Sequence, residues 1–483
     1  MRAPIAWSFS GMDPSGYSGL MVDVQAMRSL GVRIMSSITA LTAQNSVSFS
    51  HIFPTSSSHF LAQASSLRKE GKPKAIKVGM LATREIVEAV SRFIKSSDAP
   101  VIVDPVLRSS LGKELLSREA LESFRNGIIP QSFLLAPNIP EAEALTGISI
   151  SSRDRYVVAA KELLKMGAHA VLIKGGHDKG FFCCDYYACR NTSFWLYKPR
   201  LQKEVRGTGC CLSSSIAASY AWLGDLEEAI VMGVAYTQRG IRLSSSFLYF
   251  DSWPVAACDM PKLSKNFSFL DFKSERLRMP SSFFYPIAPN FSWLKRLVGA
   301  GARSVQLRVK NKALENVKEE VKKALAFSKK NFFYLFVNDY WKIAVKYSAY
   351  GIHLGQGDLE TVDWESVRSS KIRFGISTHS YVELAHALSY SPSYIALGPI
   401  FPTTAKIMPF SPQGLLRISI WKSLISVPLV AIGGINLKRA EAVLKAGAQG
   451  VSCIKDIIKD PFPERRTKEW LNLLEGRKNV RKE

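Results

Sequence analysis

The strongest constraint on this chain is a rhythm. A short, wholly apolar run is followed by turn residues and then by a segment of helical period, and the unit repeats. In the first half, Val101-Ile-Val103, Phe133-Leu-Leu135 and Ala170-Val-Leu-Ile173 are such runs. They suit strands buried on both faces of a parallel sheet. Their alternation with helices is that of an open α/β sheet. The rhythm breaks between residues 244 and 282, where Pro254, Pro261 and Pro280 lie among serines, lysines and aromatics. This stretch reads as a domain end and a connector; its first half reads equally as a surface excursion of the first domain.

After Phe283 the rhythm restarts with shorter units. The expected strands are Phe284-Tyr285, Ser304-Val-Gln-Leu307, Leu335-Phe-Val337, Gly351-Ile-His353, Arg373-Phe-Gly375, Tyr394-Ile-Ala-Leu397, Pro428-Leu-Val-Ala-Ile432 and Gly450-Val-Ser452. Leu314, Val317, Val321 and Leu325 share one face of a Lys/Glu-rich helix. Eight strands separated by helices predict a (β/α)₈ barrel. The 483 residues thus divide into a domain over 1–250, a connector over 251–282 and a domain over 283–483.

Composition narrows the class of partner. Apolar residues are 47% and charged residues 22%, which excludes a disordered chain, a collagen-like fibre and a coiled coil. The seven cysteines are odd in number and form no pair of CxxC motifs, so free thiols in a reducing compartment are expected. The apolar run Pro4 to Phe9 meets Gly11 and Asp13 with no small-residue cleavage pattern, unlike a signal peptide. The uncharged stretch Gly207 to Gly224 reads as a loop and a packed helix. A soluble, cytoplasmic protein without a membrane partner is expected. The charge balance, 64 − 40 = +24, admits nucleic acid, an anionic membrane or small phosphorylated substrates. Acids are interspersed with the bases, as with Glu315, Glu319 and Glu320 inside Lys310 to Lys330, and no nucleic-acid-binding motif occurs. Small phosphates are favoured; a homo-oligomer is compatible with the sequence.

Phosphate chemistry fits the first half. Gly11-Met-Asp13-Pro-Ser-Gly16-Tyr-Ser-Gly19 follows an apolar run and precedes a helix-like segment with Asp23. Glycines there let backbone amides approach a ligand, and Asp13 or Asp23 accepts from a hydroxyl; alone, the segment reads as a plain strand–helix turn. Asp104 and then Asn138-Ile-Pro-Glu141 follow buried strands, where open α/β sheets bind ligands. Asp104 and Glu141 suit magnesium, although alone Asn138 and Glu141 read first as a helix capping box. Lys174 offers a cation after the next strand. Gly207-Thr208-Gly209-Cys210 precedes an Ala/Ser-rich helix, and amides at a helix start form an anion hole. There Cys210 is expected to lose its proton more easily and to accept one from an attacking hydroxyl; the bland alternative is a packing cysteine.

Seven segments carry a resemblance: Asp13-Pro-Ser-Gly16, Ala40-Leu-Thr-Ala-Gln44-Asn45, Val78-Gly-Met80, Asp104-Pro-Val106, Pro137 to Ala142, Lys174-Gly-Gly-His177 and Gly207 to Cys210. In this order they resemble the hydroxymethylpyrimidine (phosphate) kinases, which share the ribokinase-like fold, over about residues 1–245. The resemblance implies ATP as co-substrate and two successive phosphorylations of the pyrimidine. It implies Gln44 and Asp23 as substrate contacts, and Cys210 and Lys174 as catalytic residues. Asn138, Glu141, Lys174, Gly207, Thr208 and Gly209 would hold the nucleotide phosphates and Mg²⁺. Tyr17, Arg206 and Cys211 depart from the family pattern.

In the second half, Gln306, Arg308 and Lys310 alternate at a strand end and suit a pyrophosphate; an exposed strand end is the plainer reading. Asn338-Asp339 and Gly355-Gln-Gly-Asp358 place two carboxylates at neighbouring strand ends, fit to share one hard cation. Gly398 to Lys406 gives a loop with hydroxyls and a cation, and Gly433-Gly434 closes a strand where barrels bind phosphate. With His353-Leu-Gly-Gln-Gly-Asp358, Gly375-Ile-Ser377 and Ile432-Gly-Gly-Ile435, these resemble thiamine-phosphate synthase over about residues 283–475. The resemblance implies that Gln306, Arg308, Lys310 and Asn338 bind the pyrimidine pyrophosphate and that Asp339 and Asp358 ligate Mg²⁺. It places Ser377 and the catalytic Lys406 at the reacting centre, with Thr403, Thr404 and Gly434 holding the thiazole phosphate. Ala405 and Ile454-Lys455 depart from the family pattern. The first domain's product would be the second's substrate. The alternatives are one active domain beside a regulatory relic, or a basic nucleic-acid-binding protein.

Overall fold

The protein is described here from a computed structural model covering residues 2–109, 112–245, 247–251, 255–266, 274–310, 313–403 and 410–475. The chain forms two compact units, 1–269 and 270–483.

The sheet of the first unit is built from β1 (Ile5–Met12), β2 (Arg33–Gln44), β3 (Phe49–Pro54), β4 (Ala75–Val78), β5 (Val101–Val103), β6 (Leu134–Leu135), β7 (Ala170–Ile173), β8 (Phe182–Cys189), β9 (Ser193–Pro199) and β10 (Lys262–Ser264). Their spatial order is β10-β9-β8-β7-β6-β5-β4-β1-β2-β3. Neighbours from β7 to β2 run parallel, and the outer strands are antiparallel. Every residue of β4, β5, β6 and β7 is buried, which is why these strands read as unbroken apolar runs. Helices cover them with apolar stripes. The helix Arg84–Lys95, capped by Thr83, buries Ile86, Val87, Ala89, Val90, Phe93 and Ile94. The uncharged stretch forms the helix Thr208–Leu223, buried continuously from Cys211 to Ser219.

Five loops or strand ends then gather at the carboxyl edge of this sheet: Gln44 ends β2, and Gly79, Asp104, Asn138 and Lys174 follow β4, β5, β6 and β7. This is where open α/β sheets bind ligands. A cleft of about 970 Å³ opens at the opposite strand ends, lined by Pro4, Trp7, Lys74, Pro100 and Trp222 among others. None of the candidate residues lines it.

The second unit contains β11 (Phe283–Phe284), β12 (Ile287–Ala288), β13 (Ser304–Leu307), β14 (Tyr334–Asn338), β15 (Gly351–Leu354), β16 (Arg373–Thr378), β17 (Tyr394–Leu397), β18 (Leu429–Ile432) and β19 (Gly450–Ser452). All pairings are parallel. β11 pairs with β19 while β12 pairs with β13, and only Tyr285 and Pro286 separate the two. Tyr285 donates its N–H to Val451 at 2.9 Å, and the Pro286 carbonyl accepts from Gln306 at 3.0 Å. One segment therefore pairs on both sides and closes the sheet into a barrel with eight strand positions, the expected (β/α)₈ architecture. The helix Leu314–Asn331 buries Val317, Val321 and Leu325 as expected, while Leu314, in its first turn, is 62% exposed.

The barrel interior holds Phe283, Tyr285, Phe336, Tyr394, Ala396 and Val430. Such rings need space opposite them. A side-chain carbon on Gly375 would lie 2.0 Å from the Tyr394 ring, so glycine there is a packing requirement.

Within 251–282, Lys262–Ser264 joins the first sheet as β10, and Asp259 forms a bidentate pair with Arg242 at 2.6 and 2.8 Å. Leu277 and Met279 pack against the barrel's aromatic cluster. Among the described residues, no helix is long and apolar enough to cross a membrane.

Candidate active sites

In the first unit the candidate residues converge around Lys174. Its Nζ lies 2.6 Å from Asp104 Oδ1 and 3.9 Å from Glu141 Oε2. Asn138 and Glu141 form the capping box: Glu141 N–H donates to Asn138 Oδ1 at 2.9 Å, and Asn138 N–H to Glu141 Oε2 at 2.8 Å. One carboxylate thus caps a helix and faces Lys174. Burial pushes the Glu141 carboxyl up to about 7, with Lys174 opposing and Asp104 adding to the rise. Burial pulls Lys174 down, but Asp104 and Glu141 outweigh it and leave the ammonium above its ordinary range.

The anion-hole segment sits over this pair. Gly207 is left-handed at φ 77°, and a side-chain carbon there would lie 2.2 Å from the Tyr17 carbonyl oxygen. Only glycine lets the helix start come this close to the loop after β1. A carbon on Gly209 would lie 3.4 Å from Lys174 Nζ and 3.8 Å from Asp104 Oδ2. The first N–H groups of the helix Thr208–Leu223 have no partners within the helix, and Lys174 stands beside them.

Cys210 corrects one expectation. Burial, then Asp104 and Asp23, push its thiol up to about 12 against the pull of Lys77. The positive end of the helix does not give a readily ionised thiol, because desolvation and two carboxylates oppose it.

Gln44 is met by Arg206, one of the three departures from the family pattern, which also lies over Tyr17, another. Arg206 Nη2 donates to Gln44 Oε1 at 3.4 Å, Arg206 Nη1 to the Asn45 carbonyl at 2.7 Å, and the guanidinium lies 5.6 Å from the Tyr17 ring. Asp13 closes its own turn by accepting from Ser15 and Ser18.

Asp23 lies deeper than the rest. It is fully buried, and its carboxylate accepts from Lys77 at 2.8 and 2.9 Å, from Ser8 at 2.7 Å and from Ser214 at 2.7 Å. Sequence reasoning missed Lys77. Its signal was one charge in the apolar run Ala75-Ile-Lys-Val78, with a partner 54 positions away.

In the second unit Gln306, Arg308 and Lys310 form a gradient from interior to mouth. Gln306 is 2% exposed and reaches Tyr285, Arg308 is half-buried, and Lys310 is exposed and paired with Asp339. The Arg308 side chain makes no ion pair among the described residues. Asp339 adopts a left-handed conformation, φ 64°. One oxygen of Asp358 accepts from the Gly355 N–H at 2.7 Å. Asn338 ends β14 and is buried. No group of three or more His, Cys, Asp or Glu side chains forms a metal cage among the described residues. Two carboxylates with the remaining positions left to water and substrate oxygens fit Mg²⁺, which keeps such partners.

The loop after β17 packs on the loop after β18. Ile400 and Phe401 donate N–H groups to Ile432 and Gly433. Gly434 is left-handed, and a side-chain carbon there would lie 2.6 Å from the Pro402 carbonyl oxygen. Gly434 thereby lies against Pro402, the chain neighbour of Thr403. Thr404, Ala405 and Lys406 lie outside the described residues. Ser377, on β16, is held through a buried group that sequence reasoning quoted but gave no role: His353, whose Nε2 lies 2.9 Å from Ser377 Oγ. Burial holds His353 down at about 4.

Fold and site together define a two-unit transferase: a ribokinase-like open sheet followed by a (β/α)₈ barrel, each with charged and polar groups gathered at its carboxyl strand ends. Residues 13–251 match the phosphomethylpyrimidine kinase family and residues 284–457 the thiamine monophosphate synthase family. The thiamine-phosphate synthase of Cronobacter sakazakii is 44% identical over 190 residues, covering 39% of this chain and 90% of the relative. That of Salmonella agona is 47% identical over 174 residues, covering 36% and 82%. Among solved structures, a Clostridium difficile phosphomethylpyrimidine kinase is 31% identical, with 49% of this chain and 99% of that chain covered and a TM-score of 0.44. A Staphylococcus aureus pyridoxal kinase in complex with ADP is 24% identical, covering 55% and 99%, with a TM-score of 0.49. The chain belongs to the phosphomethylpyrimidine kinase family through its first unit and to the thiamine-phosphate synthase family through its second. Both units are enzymes of thiamine biosynthesis.

Proposed function

We propose that the first unit transfers the γ-phosphoryl group of ATP to hydroxymethylpyrimidine and then to its monophosphate. The second unit then joins the pyrophosphate ester to a thiazole phosphate, giving thiamine phosphate and pyrophosphate. The observation that carries the kinase half is Lys174, held between Asp104 and Glu141 beside the start of the helix Thr208–Leu223. The match of residues 13–251 to the phosphomethylpyrimidine kinase family supports ATP as donor.

In the kinase site the helix N–H groups of Gly207, Thr208 and Gly209 receive the transferring phosphoryl oxygens, and Lys174 follows that charge. Gln44, steadied by Arg206, presents its amide to the pyrimidine edge. Asp23 acts from behind, through Lys77 and Ser214. Cys210, a neutral thiol near pH 7, orients the attacking hydroxyl; a loose phosphoryl transfer does not need an early proton acceptor. Asn138, Glu141 and Asp104 are the residues that would hold Mg²⁺ near the phosphates.

In the synthase site Gln306, Asn338, Arg308 and Lys310 hold the pyrimidine pyrophosphate, with Arg308 binding two oxygens at once. Asp339 and Asp358 would hold Mg²⁺, which supplies charge neutralisation to the leaving pyrophosphate. Lys406 and Ser377 are assigned to the reacting C–O bond by the family resemblance. Thr403, Thr404 and the Gly434 amide hold the thiazole phosphate, whose ring nitrogen forms the new C–N bond at the pyrimidine methylene. The electron pair of the broken C–O bond leaves with pyrophosphate, and no protein nucleophile is required. The partners are small phosphorylated molecules, in a cytoplasmic setting, with no nucleic acid or membrane. Chromatography of each half-reaction tests this. The chain should turn hydroxymethylpyrimidine and ATP into mono- and pyrophosphate esters, and ready-made pyrophosphate ester and thiazole phosphate into thiamine phosphate. Failure of either half-reaction overturns the corresponding half.

A further inference from the structure

Behind Ser377 a chain of buried polar groups crosses the barrel. Gln306 Nε2 donates to Tyr285 Oη at 3.4 Å; Tyr285 Oη lies 2.8 Å from Tyr394 Oη; Tyr394 Oη lies 2.9 Å from His353 Nδ1; and His353 Nε2 lies 2.9 Å from Ser377 Oγ. Tyr285 is 2% exposed, Tyr394 1% and His353 6%. Five strand positions contribute one group each. Polar groups this deep are costly unless every one is satisfied, and here each satisfies the next.

These contacts are compatible with donation in one direction throughout. Gln306 donates to the Tyr285 oxygen, so the Tyr285 proton is free to go to Tyr394. The Tyr394 proton then goes to Nδ1 of His353, the acceptor nitrogen of a neutral imidazole. With that direction the ring proton sits on Nε2 and is donated to Ser377 Oγ. The Ser377 hydroxyl, already accepting, keeps its own proton for whatever lies in front of it. Both tyrosines are held well above their ordinary range by burial, so neither breaks the chain by ionising.

We propose that Tyr285, Tyr394 and His353 are positioning residues forming a one-way hydrogen-bond relay that fixes the Ser377 hydroxyl as a donor to an acceptor oxygen of the bound pyrophosphate ester. This rests on the synthase reading above. A donor held toward the oxygen that gains charge as the C–O bond breaks acts on the transition state more than on the bound ester. Gly375 belongs to the device, because only its missing side chain admits the Tyr394 ring.

The test uses the full chain, ready-made pyrimidine pyrophosphate and thiazole phosphate. Tyr394→Phe removes one oxygen and is expected to lower the synthase kcat roughly tenfold with little change in KM, as for a misaimed oxyanion donor. In a Ser377→Ala background the same substitution should cost nothing further; Tyr285→Phe should repeat the pattern more weakly. ¹⁵N shifts of His353, assigned by difference with His353→Asn, should show the Nε2–H tautomer in the wild type and a mixture in Tyr394→Phe. Equal losses in both backgrounds, or an Nδ1–H tautomer in the wild type, would overturn the relay. If the wild type makes no thiamine phosphate, the synthase reading fails instead, and the tautomer alone decides for or against the relay.

Discussion

The two units carry their candidate sites at the carboxyl ends of parallel strands, but with opposite electrostatics. In the first unit buried cations are matched: Lys174 by Asp104, Lys77 by Asp23 and Lys198 by Asp185. In the second, the interior is a neutral hydrogen-bonded chain, and Arg308 stands half-buried with no ion pair among the described residues. The difference follows the chemistry. A kinase moves a phosphoryl group between two oxygens and leaves the number of bridging bonds unchanged, so backbone amides and a pre-neutralised lysine suffice. A synthase must take up the full charge of a departing pyrophosphate, so it keeps a cation in reserve. The cost of perturbation follows too: breaking a buried pair leaves a stranded charge, whereas removing an unpaired cation leaves nothing stranded.

The comparison can be broken first at Lys77. Lys77→Met strands Asp23 in a fully buried site and should cost the first unit about 3–5 kcal/mol. Denaturant unfolding should show the first unit's transition lowered and the second's unmoved; Arg308→Met should move neither appreciably. Next come the activity splits. Asp339→Asn should lower thiamine phosphate formation about 10²-fold without touching pyrimidine phosphorylation. Cys210→Ala should do the reverse by a similar factor, and Cys210→Ser should recover part of it, because orientation rather than ionisation is its task. Arg308→Lys keeps the charge but loses the fork, and should raise KM for the pyrophosphate ester roughly tenfold.

A further contrast lies in pH, where the two units respond with opposite signs. Glu141 titrates at about 7 in the fold, above its ordinary 4.5. The native state therefore holds a proton that the unfolded chain has lost, and the first unit loses stability as pH rises from 4.5 to 7. His353 is held at about 4, below its ordinary 6.5, so the second unit loses stability as pH falls from 6.5 toward 4. Thermal melts between pH 5 and 7 should show the two transitions moving in opposite directions. Glu141→Gln should flatten the first slope and His353→Asn the second.

Local pattern carried much of this architecture. Fully buried strands leave apolar runs, so β5, β7 and the barrel strands were legible. The antiparallel extension β8-β9-β10 was not: Cys183-Cys-Asp-Tyr-Tyr187 mixes polar and apolar residues without a clean period, and β10 lies in a stretch read as connector. Loop glycines and strand-end charges marked both sites, because that chemistry sits at predictable places on such sheets. What escaped was made by distant partners. Lys77 meets Asp23 across 54 positions, and Tyr285 meets Tyr394 across 109. Alternation says only that such residues face inward. The Cys210 expectation failed for the same reason: the helix start is local, but of the two carboxylates that raise the thiol one follows β5 and the other sits on a different helix.

The central claim is that two independent sites in one chain carry out successive reactions joined by a shared intermediate. The most direct measurement mixes Cys210→Ala and Asp339→Asn proteins with hydroxymethylpyrimidine, ATP, Mg²⁺ and thiazole phosphate, and follows thiamine phosphate. Each variant alone should make almost none, and the mixture should recover synthesis, because ester released by one protein is used by the other. A mixture as inactive as its components, with both variants folded and each retaining its other half-reaction, would contradict the account.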